Sequence, residues 1–255
     1  MKKTLIAAAV VAMSFSSAAN AAFVTTIDLF STNQAQLTDN TNGGSYVMSQ
    51  VGSAADATIL GGYRDLGVNQ LVGDGNPSHV TKADVFNGKM SFSNDASVSG
   101  TGLVRWDGAN SGAALDATGL GGLSLGGSAF NITIIQSDLG FRFDLEAYTN
   151  SNQWSKITLV STAHNTPFDS VISFGSFSLC GFDNGAGLTV TCGAGGAVDF
   201  ANLGALQAVI DPLGGSTSVD LVIGEVTAVP EPASLALVGL GLLGVGALRR
   251  RRTAK

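Results

Sequence analysis

The sequence predicts an all-β protein, a β-sandwich of jelly-roll type, with one short C-terminal transmembrane helix. Three observations carry this. Short runs of residues alternate apolar and polar at a period of two. Gly, Asn and Asp turns punctuate those runs. Between the two terminal apolar segments, no window sustains a capped 3.6-residue period.

The chain starts Met1-Lys2-Lys3, continues through an apolar run at 5–13 and reaches Ala19-Asn20-Ala21. A basic start, a short apolar stretch and an A-x-A site make a secretory signal peptide over 1–21, with cleavage expected after Ala21. The run is too short to cross a bilayer. Residues 22–229, about 208 in all, then form the exported all-β domain, long enough for one sizeable core.

Alternation is clearest at 23–29, 89–93, 97–106, 131–136, 141–148, 154–161, 169–174, 207–210 and 218–226. Turns separate these runs at Asn42-Gly43-Gly44, 73–77, Asp107-Gly108, Asn184-Gly185 and Asp211-Pro212. The polar stretch 31–42 reads as an exposed loop. Gly/Leu-rich 109–129 reads as either a flexible excursion or a tightly packed edge. Segment 59–66 is a glycine-led β segment in which adjacent Arg64 and Asp65 read as a surface ion pair on a bulge. A β-helix would need a fixed repeat, which is missing. A porin-like barrel would need regular lipid-facing alternation and aromatic girdles, also missing.

Within 22–229 there are six Lys and Arg against eighteen Asp and Glu, a net charge of −12. The whole-chain value of −6 hides this, because the other basic residues sit in the terminal segments. Such a surface repels nucleic acid and anionic lipid, which argues against both as partners of the domain. Its simplest role is solubility. The two cysteines, Cys180 and Cys192, lie in the exported part and flank a turn-rich stretch, with strand-like residues at 177–179 and 188–191. They predict a disulfide near the base of a hairpin. Closing a loop of this size contributes roughly 3 kcal/mol in the chain-entropy description.

No catalytic set is predicted. Gly122-Leu123-Ser124-Leu125-Gly126 spells a nucleophile elbow, with Asp138 or Asp144 and then His164 in the right order. The strand–turn–helix context that such chemistry needs is not there. His79 and His164 are the only histidines and both read as solvated turn residues. Sixteen aspartates could supply a carboxylate pair, but spacing singles out none. Two cysteines and two histidines make a poor zinc set, and no cofactor is predicted. Calcium is the metal for which candidate turns exist: Asp74-Gly75-Asn76, 107–110 and Asp183-Asn184-Gly185 offer hard oxygens. Asx turns explain them equally well. The sequon at Asn131 lies among apolar residues and reads as a buried strand. A glycine pattern at 239–244 matches a dinucleotide fingerprint by letter, yet follows no strand and lies within an apolar span.

That span, 233–248, carries no charge and is followed by Arg249, Arg250, Arg251 and Arg252. As a helix it would cross most of a bilayer, with the arginines as a cytoplasmic stop and the domain on the exported side. Just before it, Pro230-Glu231-Pro232 stays extended, because proline cannot continue a helix. The tripeptide, the Gly/Leu-rich span and the terminal arginines together resemble the PEP-CTERM sorting signal, also described as the ice-binding protein C-terminal type. The resemblance covers 230–255, about a tenth of the chain.

It implies a Gram-negative, exopolysaccharide-producing source and an exosortase that recognises Pro230, Glu231 and Pro232 and removes the tail. It also implies a cell-envelope, cell-surface or matrix location, with the C-terminus first held in the inner membrane. It implies no ice binding, since no regular Thr array is present. The expected role is structural or adhesive. The alternative is an exopolysaccharide-binding jelly-roll module, for which Trp106, Trp154 and Tyr63 are the aromatic candidates. A secreted hydrolase is the third reading.

Overall fold

The computed structural model describes residues 24–112 and 114–230. Fourteen strands follow in chain order: β1 (Thr25–Asp28), β2 (Gln34–Asp39), β3 (Val47–Gly52), β4 (Tyr63–Val72), β5 (Thr81–Phe86), β6 (Lys89–Asn94), β7 (Ser99–Trp106), β8 (Ala129–Ser137), β9 (Arg142–Tyr148), β10 (Trp154–Val160), β11 (Phe168–Ser173), β12 (Thr189–Cys192), β13 (Ala205–Ile210) and β14 (Asp220–Val229). They form two seven-stranded antiparallel sheets. The first runs β11-β8-β14-β6-β5-β2, with β1 added against β14. The second runs β12-β10-β9-β13-β7-β4-β3. The fold is therefore all-β and sandwich-like.

Alternate residues of each sheet meet in one core. Leu66, Val104, Leu206, Leu145 and Ile157 come from the second sheet, and Phe92, Phe130, Ile132 and Ile223 from the first. Period two puts one side chain in and the next out, which is why the alternating runs found in the sequence became strands. At one end a 3-10 segment, Phe174–Ser178, inserts Phe177 beside Phe130 and Phe200. Phe174 stacks on Phe200 with centroids 4.1 Å apart. Cys180 and Cys192 are joined by a disulfide that pins this end to β12.

A polar cluster built on Arg64 lies inside the sandwich. Arg64 is fully buried and donates to both carboxylate oxygens of Asp28, at 3.0 and 3.1 Å. Its other nitrogens donate to Gln34 Oε1 and to the Thr32 carbonyl. Asp28 accepts further from the Trp106 indole and from the Phe30 amide. Burial pushes the Asp28 carboxyl above its usual range, while the Arg64 charge and these donors pull the other way. The cluster links β1 and β2 of one sheet to β4 and β7 of the other, with every group partnered as a buried charge requires.

Four sequence expectations change here. Arg64 and Asp65 form no surface pair: neighbours on a strand point to opposite faces, so Arg64 turns inward to Asp28 and Asp65 outward. Stretch 31–42 is no exposed loop, because it contains β2, whose Gln34 and Asp39 are buried and hydrogen-bonded to other segments. Residues 177–179 are not a strand, since the 3-10 segment carries Phe177 into the core. Region 109–129 takes the packed alternative: backbone bonds tie Leu120 to Gly204, Leu123 to Leu203 and Leu125 to Phe200.

Candidate ligand-binding face

The outer face of the second sheet carries a row of polar side chains in register. Gln50 on β3 faces Asp65 on β4, which faces Arg105 on β7. Arg105 faces Gln207 on β13, Gln207 faces Glu146 on β9, and Glu146 faces Lys156 on β10. Lys156 in turn faces Thr191 on β12, so the row crosses all seven strands. Directly opposed residues share a face, and these alternate with the core-facing set.

Hydrogen bonds knit the row together. Arg105 Nε donates to Gln207 Oε1 at 3.1 Å, and Gln207 Nε2 donates to Glu146 Oε2 at 2.6 Å. The Tyr148 hydroxyl donates to the same Glu146 oxygen. Lys156 Nζ lies 3.4 Å from Asp144, which also accepts from Thr158. Aromatic rings stand along the row. Tyr148 and Trp154 oppose each other on β9 and β10, with centroids 6.0 Å apart, and both are half-buried. Tyr46 lies over β4 and β7, where its hydroxyl accepts from Thr101. Gly67 makes room for it, since a Cβ there would stand 2.3 Å from Met48 Sδ and 3.2 Å from the Tyr46 ring. Burial pushes both phenols up, and the Glu146 carboxylate adds to the effect, so at neutral pH each keeps its proton.

At the β3–β4–β7 end the row meets the loop that follows β7. Asp65 and Asp107 are 1% and 2% exposed, and each is within hydrogen-bonding reach of the other. Burial pushes the Asp65 carboxyl up to about 6, and raises Asp107 as well. Asp65 Oδ2 and Asp107 Oδ1 have no hydrogen-bond partner. Arg105 is the neighbouring cation, 3.9 Å from Asp65 and 3.8 Å from Asp107. Gly108, at φ +82°, and Gly119 clasp the neck of this loop, each too close to the other's strand of backbone to admit a Cβ.

The structure sorts the predicted site residues. Trp154 and Tyr63 reach this face, Tyr63 lying two residues from Asp65 on β4. Trp106 does not: it is 2% exposed and bonded to Asp28 inside the sandwich, so it is removed from the exposed aromatic set. Tyr46, Tyr148, Glu146, Gln207 and Arg105 were not singled out by sequence, because only strand register brings them together. Among the described residues no hydrogen bond joins Ser124, His164, Asp138 and Asp144. His164 instead pairs with Thr162, Asp138 with the Asp220 amide, and Asp144 with Thr158. Of the candidate calcium turns, Asp74 and Asp183 make Asx turns with Asn76 and Gly185. Among the described residues no three His, Cys, Asp or Glu side chains group as a metal site.

β14 runs to Val229, in register with Ala129 of β8, and Pro230 follows at once. The sequence from this strand end onward matches a known sorting element. Residues 228–252 carry a PEP-CTERM protein-sorting motif. Among proteins of curated function the chain has no match. Among solved structures it is similar to a family 11 carbohydrate-binding module from Clostridium thermocellum in complex with a beta-1,3-1,4-mixed-linked tetrasaccharide. The identity is 9%, with 76% of this chain and 95% of that chain covered, at a TM-score of 0.32. The PEP-CTERM motif thus starts within a packed strand, since Ala228 is fully buried between β1 and β8. Glu231, Pro232, the 233–248 span, Arg249–Arg252 and the signal-peptide residues Ala19 and Ala21 lie outside the described residues. Among the described residues no helix is long and apolar enough to cross a membrane.

Proposed function

We propose that this chain is an exported envelope or matrix protein, processed by an exosortase at Pro230-Glu231-Pro232, whose domain 22–229 acts adhesively by holding a neutral polysaccharide. The sandwich is of jelly-roll type and its role is non-catalytic. The observation that carries the binding reading is the polar row with its flanking rings on the outer face of the second sheet. A sugar ring offers apolar C–H faces and hydroxyl edges; Tyr148, Trp154 and Tyr46 suit the faces, and Gln50, Gln207, Glu146 and Lys156 suit the edges. From β4 to β10 the row covers four strand spacings, about 19 Å. That length suits an extended oligosaccharide better than a single sugar. Neutral polymers are favoured because the domain is strongly acidic and would repel a polyanion. The PEP-CTERM motif supports export and sorting; the short reach from β14 to Pro230 would keep the domain close to the membrane until the tail is cut.

Affinity electrophoresis in gels containing the host's neutral exopolysaccharide tests the binding. The native protein should be retarded, and a Tyr148→Ala/Trp154→Ala variant should lose at least about tenfold in affinity, near 1.4 kcal/mol, with its melting transition retained. Migration unchanged by every neutral polysaccharide would overturn the binding role and leave a purely structural one. Sorting is tested separately, by the intact mass of the protein isolated from its host. Its C-terminus should fall near Pro232; a mass that includes Arg249 to Lys255 would remove the exosortase step.

A further inference from the structure

The loop after β7 gathers more hydrogen-bond acceptors than donors. Gln50 Nε2 is surrounded by Asp65 Oδ1 at 2.7 Å, the Gly108 carbonyl at 3.0 Å and Asn110 Oδ1 at 3.1 Å. An amide nitrogen has two hydrogens, and Asn110 Oδ1 also accepts from the Gly112 amide at 3.0 Å, so these three oxygens are satisfied. Asp65 Oδ2 and Asp107 Oδ1 add two further oxygens, both buried and without a partner. Asp107 Oδ2 is the satisfied one, accepting from Asn110 Nδ2 and the Asp116 amide. Two carboxylates face one guanidinium, that of Arg105, which leaves a net negative charge in a place almost closed to water.

Orphaned buried acceptors carry a large desolvation cost unless something positive reaches them. We propose that Asp65, Asp107, the Gly108 carbonyl and Asn110 Oδ1 form a site for a divalent cation of the calcium class. The ligand atoms are all hard oxygens, as that ion prefers, and water would complete a coordination number of six to eight. The chain is built for it locally. The φ of +82° at Gly108 turns the backbone so that Asp107 and Asn110 approach the same point. The loop is also anchored on both sides, through Gln50, which accepts from the Ser111 amide, and through the Gly108–Gly119 clasp. The other two Asp-rich turns lack this surplus. Asp74 Oδ1 accepts from Asn76 and Oδ2 pairs with His79, and Asp183 is exposed. The ion would sit beside Gln50 and Asp65 at one end of the polar row, and it would rigidify the loop there. The site stands on its own oxygens and does not depend on the polysaccharide reading.

Calorimetric titration of Ca²⁺ into the metal-stripped native protein tests the site, with melting followed in parallel. One ion should bind and raise the melting temperature. Asp65→Asn and Asp107→Asn should each weaken binding at least tenfold, while Asp74→Asn leaves it unchanged. Both key variants remove charge without changing shape, and melting of the metal-free variants verifies that they fold. Two outcomes would overturn the site. One is an absence of heat and of melting shift at millimolar Ca²⁺, with the pair then holding only a shared proton. The other is binding that survives both substitutions. Neither readout involves a sugar, so failure here is distinct from failure of polysaccharide binding.

Discussion

Arg64 and Arg105 stand on adjacent strands, and each meets buried aspartate, yet they form opposite kinds of cluster. Arg64 lies between the sheets, where one carboxylate accepts two guanidinium bonds and the Trp106 indole and Phe30 amide supply the rest. Arg105 lies on the outer face, where two carboxylates share its charge at 3.8 and 3.9 Å and two of their oxygens remain without partners. The first cluster is complete, so its job is to hold the sheets together. The second has acceptors to spare and adjoins the polar row. Spare acceptors in a closed place are what a ligand or an ion would fill, so the contrast separates structure from function without appeal to any relative.

The same substitution at both positions breaks the comparison most sharply. Arg64→Met should cost about 3–5 kcal/mol, because it strands Asp28, Gln34 Oε1 and the Thr32 carbonyl in a dry interior. Arg105→Met should cost less, about 1–2 kcal/mol, chiefly through the lost bond to Gln207 and a less neutralised carboxyl pair. Urea denaturation of both variants measures the difference. Equal losses would mean that the outer cluster is as structural as the inner one.

The sequence made much of this fold legible and little of the site. Alternation found the strands whose buried positions are apolar, such as β6 with Met90 and Phe92 inward. It missed β2, where the inward residues are Gln34 and Asp39, and β5, where they are Thr81, Ala83 and Val85. Polar or small residues on the inner face give no hydrophobic period to detect, and their burial is tolerated only because distant groups bond to them. The Arg64-Asp65 pair misled for a related reason: adjacency along a strand is opposition in space. Turn chemistry did point to Asp107 and Asn110 as oxygen donors. Their partner Asp65 could not be found, because its place depends on the register of β4 against β7, which one sequence does not encode locally. Trp154 and Tyr63 were legible as rings. The Arg105–Gln207–Glu146 row was not, for the same reason of register.

The smallest effect sharpens the contrast through pH. Burial holds the Asp65 carboxyl at about 6 in the folded protein, against an ordinary value of 3.8. Between those values the folded state carries more proton than the unfolded one, so stability falls as pH rises through this window. The contribution is fully present below about pH 4 and lost above about pH 6, with a slope of at most about 1.4 kcal/mol per pH unit. Asp28, Asp107 and Asp211 are raised too and act in the same direction, whereas Asp56 and Asp95 are lowered and act below pH 4 with the opposite sign. Asp65→Asn isolates the outer cluster's share. Arg105 and Asp107 are the charged groups facing this carboxyl, with neutral Gln50 donating from β3. Asp107 raises Asp65, whereas the hydrogen bond with Asp65 lowers Asp107, so the substitution also removes that lowering influence. In calcium-free buffer, denaturation midpoints from pH 4 to 7 should decline less steeply in the variant than in the native protein. Parallel pH profiles would place the titration at the other raised carboxyls, Asp28 inside the sandwich and Asp211, and not at Asp65. The outer pair would then be as well compensated in folding as the inner one, and its unpartnered oxygens would no longer mark it as different.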